Sequence, residues 1–323
     1  MNKKGIALSF VFLFFVSSLF PKNQSVVRIG WIGGMTSVPF VYMMDDTENF
    51  DFIQFDSIQS LTYNLNAGNI DAANLPINLA LALYEKTTDE KEGGRIQAVC
   101  ITQNIDYYIV CKNEGQTSFS FPDFLGKEIV IADGGLANSL LNWILSKNNI
   151  PRGSGDNAVK IRSVKNESTA AAEVLNGKAD AALLTEPAVS AALNTGIDIS
   201  IAIDLRDEFE KINGRGRSIP KMVLLVRTQF ANENPRTMQT LSSEMESAIA
   251  KVNASAKRTQ RLVKSHPIGI DSSVSAHSFP RANFIFIAAK QSPGQIRRYL
   301  EIYTNASPPL QFLAKDFFYN EKF

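Results

Sequence analysis

Residues 65–76 read L-N-A-G-N-I-D-A-A-N-L-P, and residues 175–187 read L-N-G-K-A-D-A-A-L-L-T-E-P. One plan occurs twice. In each copy a helix-like stretch stops at a glycine, Gly68 or Gly177, suited to the left-handed position that closes a helix. A short run of small apolar residues then starts at Asp71 or Asp180 and reads as a buried strand. The run ends at Pro76 or Pro187, which suits the first turn of a following helix, where the missing N–H costs nothing. The stretches that follow, Ile77–Tyr84 and Ala188–Leu193, are Ala/Leu-rich and helix-compatible.

A second element recurs upstream of each copy. Val26–Ile32 is an apolar strand leading into Gly33-Gly34 and a helix-like Val38–Met44, while Glu128–Ala132 leads into Gly134-Gly135 and Leu136–Leu145. Each half thus reads strand, double glycine, helix, further helix, Asp-Ala-Ala strand, proline, helix. Strand–helix–strand order with short connections implies right-handed crossovers and parallel sheets covered by helices, an α/β architecture. In such sheets ligands gather beyond the carboxyl ends of the strands. Loops 33–37, 74–78, 133–139 and 185–187 meet that description, and two facing units would bring all four to one cleft. The second unit reads as inserted in the first, so the expected division is lobe 1 over 26–112 and 220–323 and lobe 2 over 113–219. Two crossings between lobes form a hinge that permits closure.

Composition bounds the function. The 323 residues are 45% apolar and 20% charged, with 33 Lys+Arg against 32 Asp+Glu. That balance argues against nucleic acid as a partner and against a disordered charged tail. His266 and His277 are the only histidines, and two cysteines complete no zinc motif with them, so no metal is expected. No G-x-G-x-x-G and no P-loop occurs, so no nucleotide cofactor is expected either.

Met1–Lys4 carry two lysines and Gly5–Phe20 form an uncharged, mostly apolar run of 16 residues, short of the roughly 20 a spanning helix needs. This is the shape of a signal peptide, assigned to residues 1–25; an uncleaved N-terminal anchor is the alternative. Export places the mature chain in the periplasm or at the cell surface, where a disulfide is chemically permitted. Cys100 and Cys111 fall in two strand-like runs, Ile96–Thr102 and Tyr107–Cys111. Paired as a tight hairpin, those runs would set the thiols opposite one another; two buried free thiols are the other reading.

In order and spacing, V-R-I-G-W-I-G-G, L-N-A-G-N-I-D-A-A-N-L-P-I-N-L-A, F-L-G-K-E-I-V-I-A, V-L-N-G-K-A-D-A-A-L-L-T-E-P-A and the late P-L-Q-F-L-A-K-D-F-F-Y resemble the solute-binding proteins of ABC importers. The subgroup they resemble handles nitrate, alkanesulfonates, taurine and the thiamine pyrimidine precursor. The resemblance covers nearly the whole mature chain. It implies a type II periplasmic binding protein: two α/β lobes, a hinge, a ligand in the central cleft, and a membrane permease that receives the ligand from a monomeric carrier. It implies no catalysis. An enzyme of the same fold, dehydratase-like or pyrimidine synthase-like, and a ligand sensor coupled to a receptor are the alternatives.

Candidate ligand contacts follow from the loops. Trp31 ends the first strand beside Gly33-Gly34, where an indole is either a stacking platform for a flat ring or a core residue. Gly34, Met35 and Thr36 follow it in the first loop. Asn74 and Asn78 flank Pro76 and either cap the helix or offer an amide to a ligand. Asp133, Gly135, Leu136, Ala137 and Asn138 form the matching junction, whose backbone N–H groups make a generic anion seat or simply start a helix. Glu186 precedes Pro187, where a carboxylate is stabilised by the helix dipole or accepts from an amine or protonated ring. These junctions contain no Arg or Lys, whereas a sulfonate or nitrate usually attracts a cation. A neutral or weakly cationic heteroaromatic, such as an aminopyrimidine thiamine precursor, is therefore the expected ligand. Arg28 and Arg162 are basic residues elsewhere in the chain that could reach the cleft.

Overall fold

A computed structural model describes residues 25–88, 94–113, 115–132, 135–271, 274–304 and 315–320. The expected signal peptide, Ser25 excepted, lies outside the described residues, and so do Asp133 and Gly134.

The chain opens with β1 (Val27–Ile32), a 3-10 helix over Met35–Tyr42, β2 (Phe50–Phe55), α1 (Ile58–Ala67), β3 (Ala72–Pro76), α2 (Ile77–Thr87), β4 (Ile96–Asn104) and β5 (Tyr108–Lys112). The second unit runs β6 (Glu128–Ala132), α3 (Gly135–Lys147), β7 (Lys160–Val164), α4 (Glu167–Leu175), β8 (Ala181–Leu184), α5 (Ala188–Leu193), β9 (Ile199–Asp204) and α6 (Leu205–Asn213). Then come β10 (Pro220–Arg227), α7 (Thr228–Glu233), α8 (Pro235–Ala254), α9 (Ala256–Ser265), α10 (Ser278–Arg281), β11 (Phe284–Ala288) and α11 (Pro293–Thr304).

Local chemistry accounts for the repeated segment. Ser57 caps α1 by accepting from the Ser60 N–H at 3.2 Å, and Gly68 closes it at φ 82°. Asn166 caps α4 through the Thr169 N–H at 2.8 Å, and Gly177, at φ 69°, turns the chain away after it. Each Asp-Ala-Ala strand is tied at its start by its own carboxylate: Asp71 Oδ2 accepts from the Arg28 N–H at 3.1 Å, and Asp180 Oδ2 from the Glu128 N–H at 2.7 Å. The two aspartates do the same job, each pinning the first strand of its unit to the repeat strand. Pro76 and Pro187 stand at the N-cap of α2 and α5, and the Glu186–Pro187 peptide is cis.

The strands form two sheets, ordered β11-β4-β10-β3-β1-β2 and β7-β6-β8-β5-β9. β1, β2 and β3 are parallel, as are β6, β7 and β8. Against each Asp-Ala-Ala strand lies one antiparallel strand belonging in sequence to a crossing: β10 on β3, β5 on β8. Of the two readings of the cysteine runs, the hairpin does not form and the thiols are free and buried. β4 pairs β10 and β11, while β5 pairs β8 and β9, so the chain leaves the first sheet at Asn104 rather than after residue 112. The physical reason is the burial of β5 on both faces, which suits a central strand of the second sheet better than one arm of a ribbon. Cys100 therefore faces Leu224 and Ala288 while Cys111 faces Ala181 and Ser200, and no disulfide joins them.

Three apolar clusters hold the layers. One, with Leu61, Leu75, Ile131, Leu140, Phe209 and Tyr299 among its members, runs from α1 and α2 across to α3, α6 and α11 and so spans both sheets. The second packs the 3-10 helix and α8 on the other face of the first sheet, and the third packs α4 and α5 on the second. Each fully buried Leu, Ile or Phe contributes about 1.5–3 kcal/mol.

Candidate functional site

The registers fix where the strands end. β1 stops at Ile32 and β3 at Pro76, and β4, antiparallel to β10, reaches the same edge at Asn104 opposite Pro220. In the second sheet β6, β7 and β8 stop at Ala132, Val164 and Leu184, with Tyr108 and Asp204 beside them. The carboxyl edges of the two sheets face each other across the crossing at residues 105–107. Asn104 N–H donates to Asn283 O at 3.1 Å, Ile105 N–H to Ile219 O at 3.0 Å, and Asn283 Nδ2 to Ile105 O at 2.8 Å.

A polar cluster occupies this junction. Glu186, 3% exposed, forms an ion pair with Arg281 Nε of α10. Its Oε1 also accepts from Ser190 Oγ at 3.1 Å and its Oε2 from the Ser190 N–H at 3.3 Å. Arg281 Nη2 donates to Ser190 Oγ at 2.7 Å, Ser190 and Ser278 share a hydroxyl hydrogen bond of 2.5 Å, and Tyr108 Oη donates to Arg281 O at 2.8 Å. α10 packs on α8 and α9, so these contacts join one lobe to the other. Beside them Asp106, buried in the crossing, pairs with Lys221 of β10. Burial pushes the Asp106 carboxyl up to about 6 although Lys221 opposes the shift, and Glu167 and Glu186 reinforce it. Burial likewise pushes the Tyr107 and Tyr108 hydroxyls up.

The candidate residues divide into several groups. Trp31 is 6% exposed and packs in the cluster with Met35, Val38 and the α8 side chains, its Nε1 without a hydrogen-bond partner. Period-2 alternation decides this: Val27, Ile29 and Trp31 share the face covered by α8, while Gly30 faces Leu61 and Ile70. Of its two sequence readings, the core one describes this structure. Met35 is buried in the same cluster; Thr36 is half-buried at the edge, and Gly34, at φ 126°, has open space where a side chain would stand.

Asn74 is 9% exposed and committed at both ends: Nδ2 donates to Thr36 O at 3.1 Å and Oδ1 accepts from Thr102 Oγ1 at 2.8 Å. It stitches β3 to the first loop and to β4. Asn78 lies half-buried in the first turn of α2. Gly135, at φ 57°, begins α3; Leu136 and Ala137 pack against the spanning core, and Asn138 accepts from Asn142 Nδ2 at 2.9 Å inside the helix. Asp133 lies outside the described residues.

Arg28 and Arg162 stand elsewhere. Arg28 is forked onto Asp71 and Arg162 onto Glu128 and Glu173, at the amino ends of their sheets. Arg281, which does meet Glu186, lies 95 positions away in sequence and follows no motif. Sequence reasoning also missed Glu167 and Gln103; the one available cue was that Asn166-Glu167 starts a helix after a strand. Two cavities of about 370 and 650 Å³, sharing Arg227 and Gln229, open at the amino edge of the first sheet and not at this junction. Among the described residues no group of three or more His, Cys, Asp or Glu side chains could hold a metal ion.

Facing carboxyl edges, joined by crossings and bridged by an ion pair, decide the architecture. The fold is that of the type II periplasmic binding proteins. Solved structures similar to it include proteins named for ABC transport or for periplasmic binding. An ABC transporter from Parabacteroides distasonis matches with a TM-score of 0.70 at 15% identity, over 92% of this chain and 99% of that one. The periplasmic aliphatic sulphonate binding protein SsuA from Escherichia coli matches at 0.65 and 14% over 92% of both chains. The periplasmic nitrate-binding protein NrtA from Synechocystis PCC 6803 matches at 0.56 and 11%, over 86% of this chain and 80% of that one. The sequence itself matches no protein-family model and no curated protein.

Proposed function

We propose that the protein is an extracytoplasmic solute-binding protein of an ABC importer, which captures a small organic ligand between its lobes and delivers it to a membrane permease. The observation that carries this reading is the meeting of the two carboxyl edges across the 105–107 crossing, with Glu186 and Arg281 in contact from opposite lobes. A cleft closed by residues of both lobes is what ligand-driven closure requires, because a ligand shifts that equilibrium only through contacts it gains in the closed state. The similar solved structures support the same reading: they include a periplasmic aliphatic sulphonate binding protein and a periplasmic nitrate-binding protein.

In this reading lobe 1 comprises the six-stranded sheet with α8 to α11 and lobe 2 the five-stranded sheet. The ligand sits between Gly34, Thr36, Asn74 and Asn78 on one side and Gly135, Asn138 and the Glu186 junction on the other. The chain acts as a monomeric carrier, without catalysis, after export on its N-terminal segment. No helix among the described residues is long and apolar enough to cross a membrane.

Of the neutral or weakly cationic heteroaromatics expected from the sequence, the weakly cationic ones are favoured, on a changed footing. Trp31 is turned into the core, so the ring platform is not the indole, and Glu186 is already matched by Arg281. What supports the class is the charge of the junction, where, among the described residues, Asp106, Glu167, Glu186 and Asp204 stand against Lys221, Arg281 and Arg206. Calorimetric titration of the purified protein with an aminopyrimidine, taurine and nitrate tests the function. Saturable binding accompanied by a smaller radius of gyration is expected, and binding of none of them, with no compaction, would refute it.

A further inference from the structure

Among the described residues, three of four carboxylates at the facing edges are matched by a cation: Asp106 by Lys221, Asp204 by Arg206 and Glu186 by Arg281. Glu167 is different. It is the first residue of α4, just beyond the end of β7, and among the described residues it forms no ion pair. Its carboxylate is nevertheless held in a fixed orientation. Oε2 accepts from the Thr185 N–H at 3.0 Å, and both oxygens lie 3.0 Å from Thr185 Oγ1. Thr185 is itself 9% exposed, at the end of β8. A carboxylate offers about four lone-pair directions, so two donors leave it under-used. The α4 dipole stabilises such an anion, yet it gives no account of why a backbone amide and a hydroxyl at the end of β8, beside Glu186, should fix its direction as well.

A second observation comes from the other lobe. Gln103, near the end of β4, is 1% exposed. Its Nε2 donates to Ala282 O at 2.7 Å and lies 3.3 Å from Asp106 Oδ2, while its Oε1 is buried with no partner. A buried acceptor without a donor is destabilising. Glu167 and Gln103 come from neighbouring points of the junction: Gln103 Nε2 lies 3.3 Å from Asp106, and Thr185, which holds Glu167, directly precedes Glu186. Among the described residues Glu167 lacks a cation and Gln103 Oε1 lacks a donor, and a protonated nitrogen carrying more than one N–H supplies both. The set of one carboxylate and one amide oxygen suits a nitrogen cation better than a metal ion, which takes more oxygen ligands.

We infer that Glu167 receives a cationic nitrogen of the ligand, with Gln103 Oε1 accepting a further N–H of the same group, so that the ligand is a protonated amine or amino-heterocycle. This rests on the reading of the cleft as a ligand site. Glu186 is then a lobe-joining residue, and Glu167 the one that selects for charge.

The test is isothermal titration with 4-amino-5-hydroxymethyl-2-methylpyrimidine and, separately, with ethanesulfonate, on the wild type, Glu167→Gln and Glu167→Asp. Gln retains an oxygen for the Thr185 N–H, so the fold is expected to survive, with a cooperative thermal melt as the check. The expected result is pyrimidine binding by the wild type, weakened at least tenfold in Glu167→Gln and about threefold in Glu167→Asp. Affinity of Glu167→Gln within twofold of wild type overturns the inference and leaves the carrier function standing. If that variant does not fold, unchanged affinity in Glu167→Asp overturns it equally. Wild-type binding of ethanesulfonate without the pyrimidine overturns the cation assignment but not the carrier reading. Binding of neither overturns the ligand class and this inference with it.

Discussion

Replacing Arg281 by Met should part the lobes. The guanidinium bridges Glu186 and Ser190 from α10, and the Glu186 side chain it faces has no solvent exposure. Removing one partner of a buried ion pair costs about 3–5 kcal/mol, because the other charge is left in a poor solvent. The Ser190 N–H and hydroxyl offset part of this, which argues for the lower end, about 3 kcal/mol. Here the molecule has an escape that a monolithic core lacks: separating the lobes hydrates Glu186. The penalty should therefore fall on the closed arrangement relative to the open one, a shift of about a hundredfold at 1.4 kcal/mol per decade, with little change in unfolding free energy. Spin labels at Tyr63→Cys and Ile197→Cys, exposed positions on opposite lobes, report the separation by dipolar spectroscopy, and the native cysteines are buried. The double replacement Arg281→Met with Glu186→Met should restore the short distance, since no charge is then left stranded. An unchanged distance distribution in the single variant would refute the reasoning.

Asp106, at about 6 in the folded protein against 3.8 for the free side chain, binds its proton more tightly when folded. Stability should consequently fall as pH rises from about 4 to about 6, by up to roughly 3 kcal/mol at 1.36 kcal/mol per unit. Urea unfolding across that range should show the slope and Asp106→Asn should remove it. Trp31→Ala should destabilise by about 3–5 kcal/mol, as a core truncation does, with Trp31→Phe costing much less since the indole N–H has no partner to lose; thermal melts separate the two. Phe317, fully buried beside Tyr84, should cost a similar amount when cut to Ala, measured by denaturant midpoint.

Much of this architecture was legible because it repeats. Gly68 and Gly177, Asp71 and Asp180, Pro76 and Pro187 are local punctuation, and local punctuation survives in a single sequence. The same locality explains the misses. Whether Trp31 faces ligand or core depends on which side of the sheet α8 covers, a fact encoded some two hundred residues away. The pairing of Glu186 with Arg281 joins elements on different lobes through no shared motif, and the absence of basic residues from the glycine junctions carried no information about it. Tyr108–Lys112 reads equally as the arm of a hairpin or as a central strand, because both demand the same apolar run. The cleft's charge was out of reach for the same reason: Glu167 and Gln103 acquire meaning only when the two edges meet.

α11 has a mechanical consequence. It leaves the first lobe beside β10 and packs along α3 of the second, with Tyr299 fully buried between them. The two strand crossings alone would define an axle about which the lobes could swing freely. A rigid rod lodged off that axle acts as a strut. It lets the lobes swing only as far as the α3 contact can shear, so the stroke of this molecule should be short, and lengthening it would require unseating Tyr299.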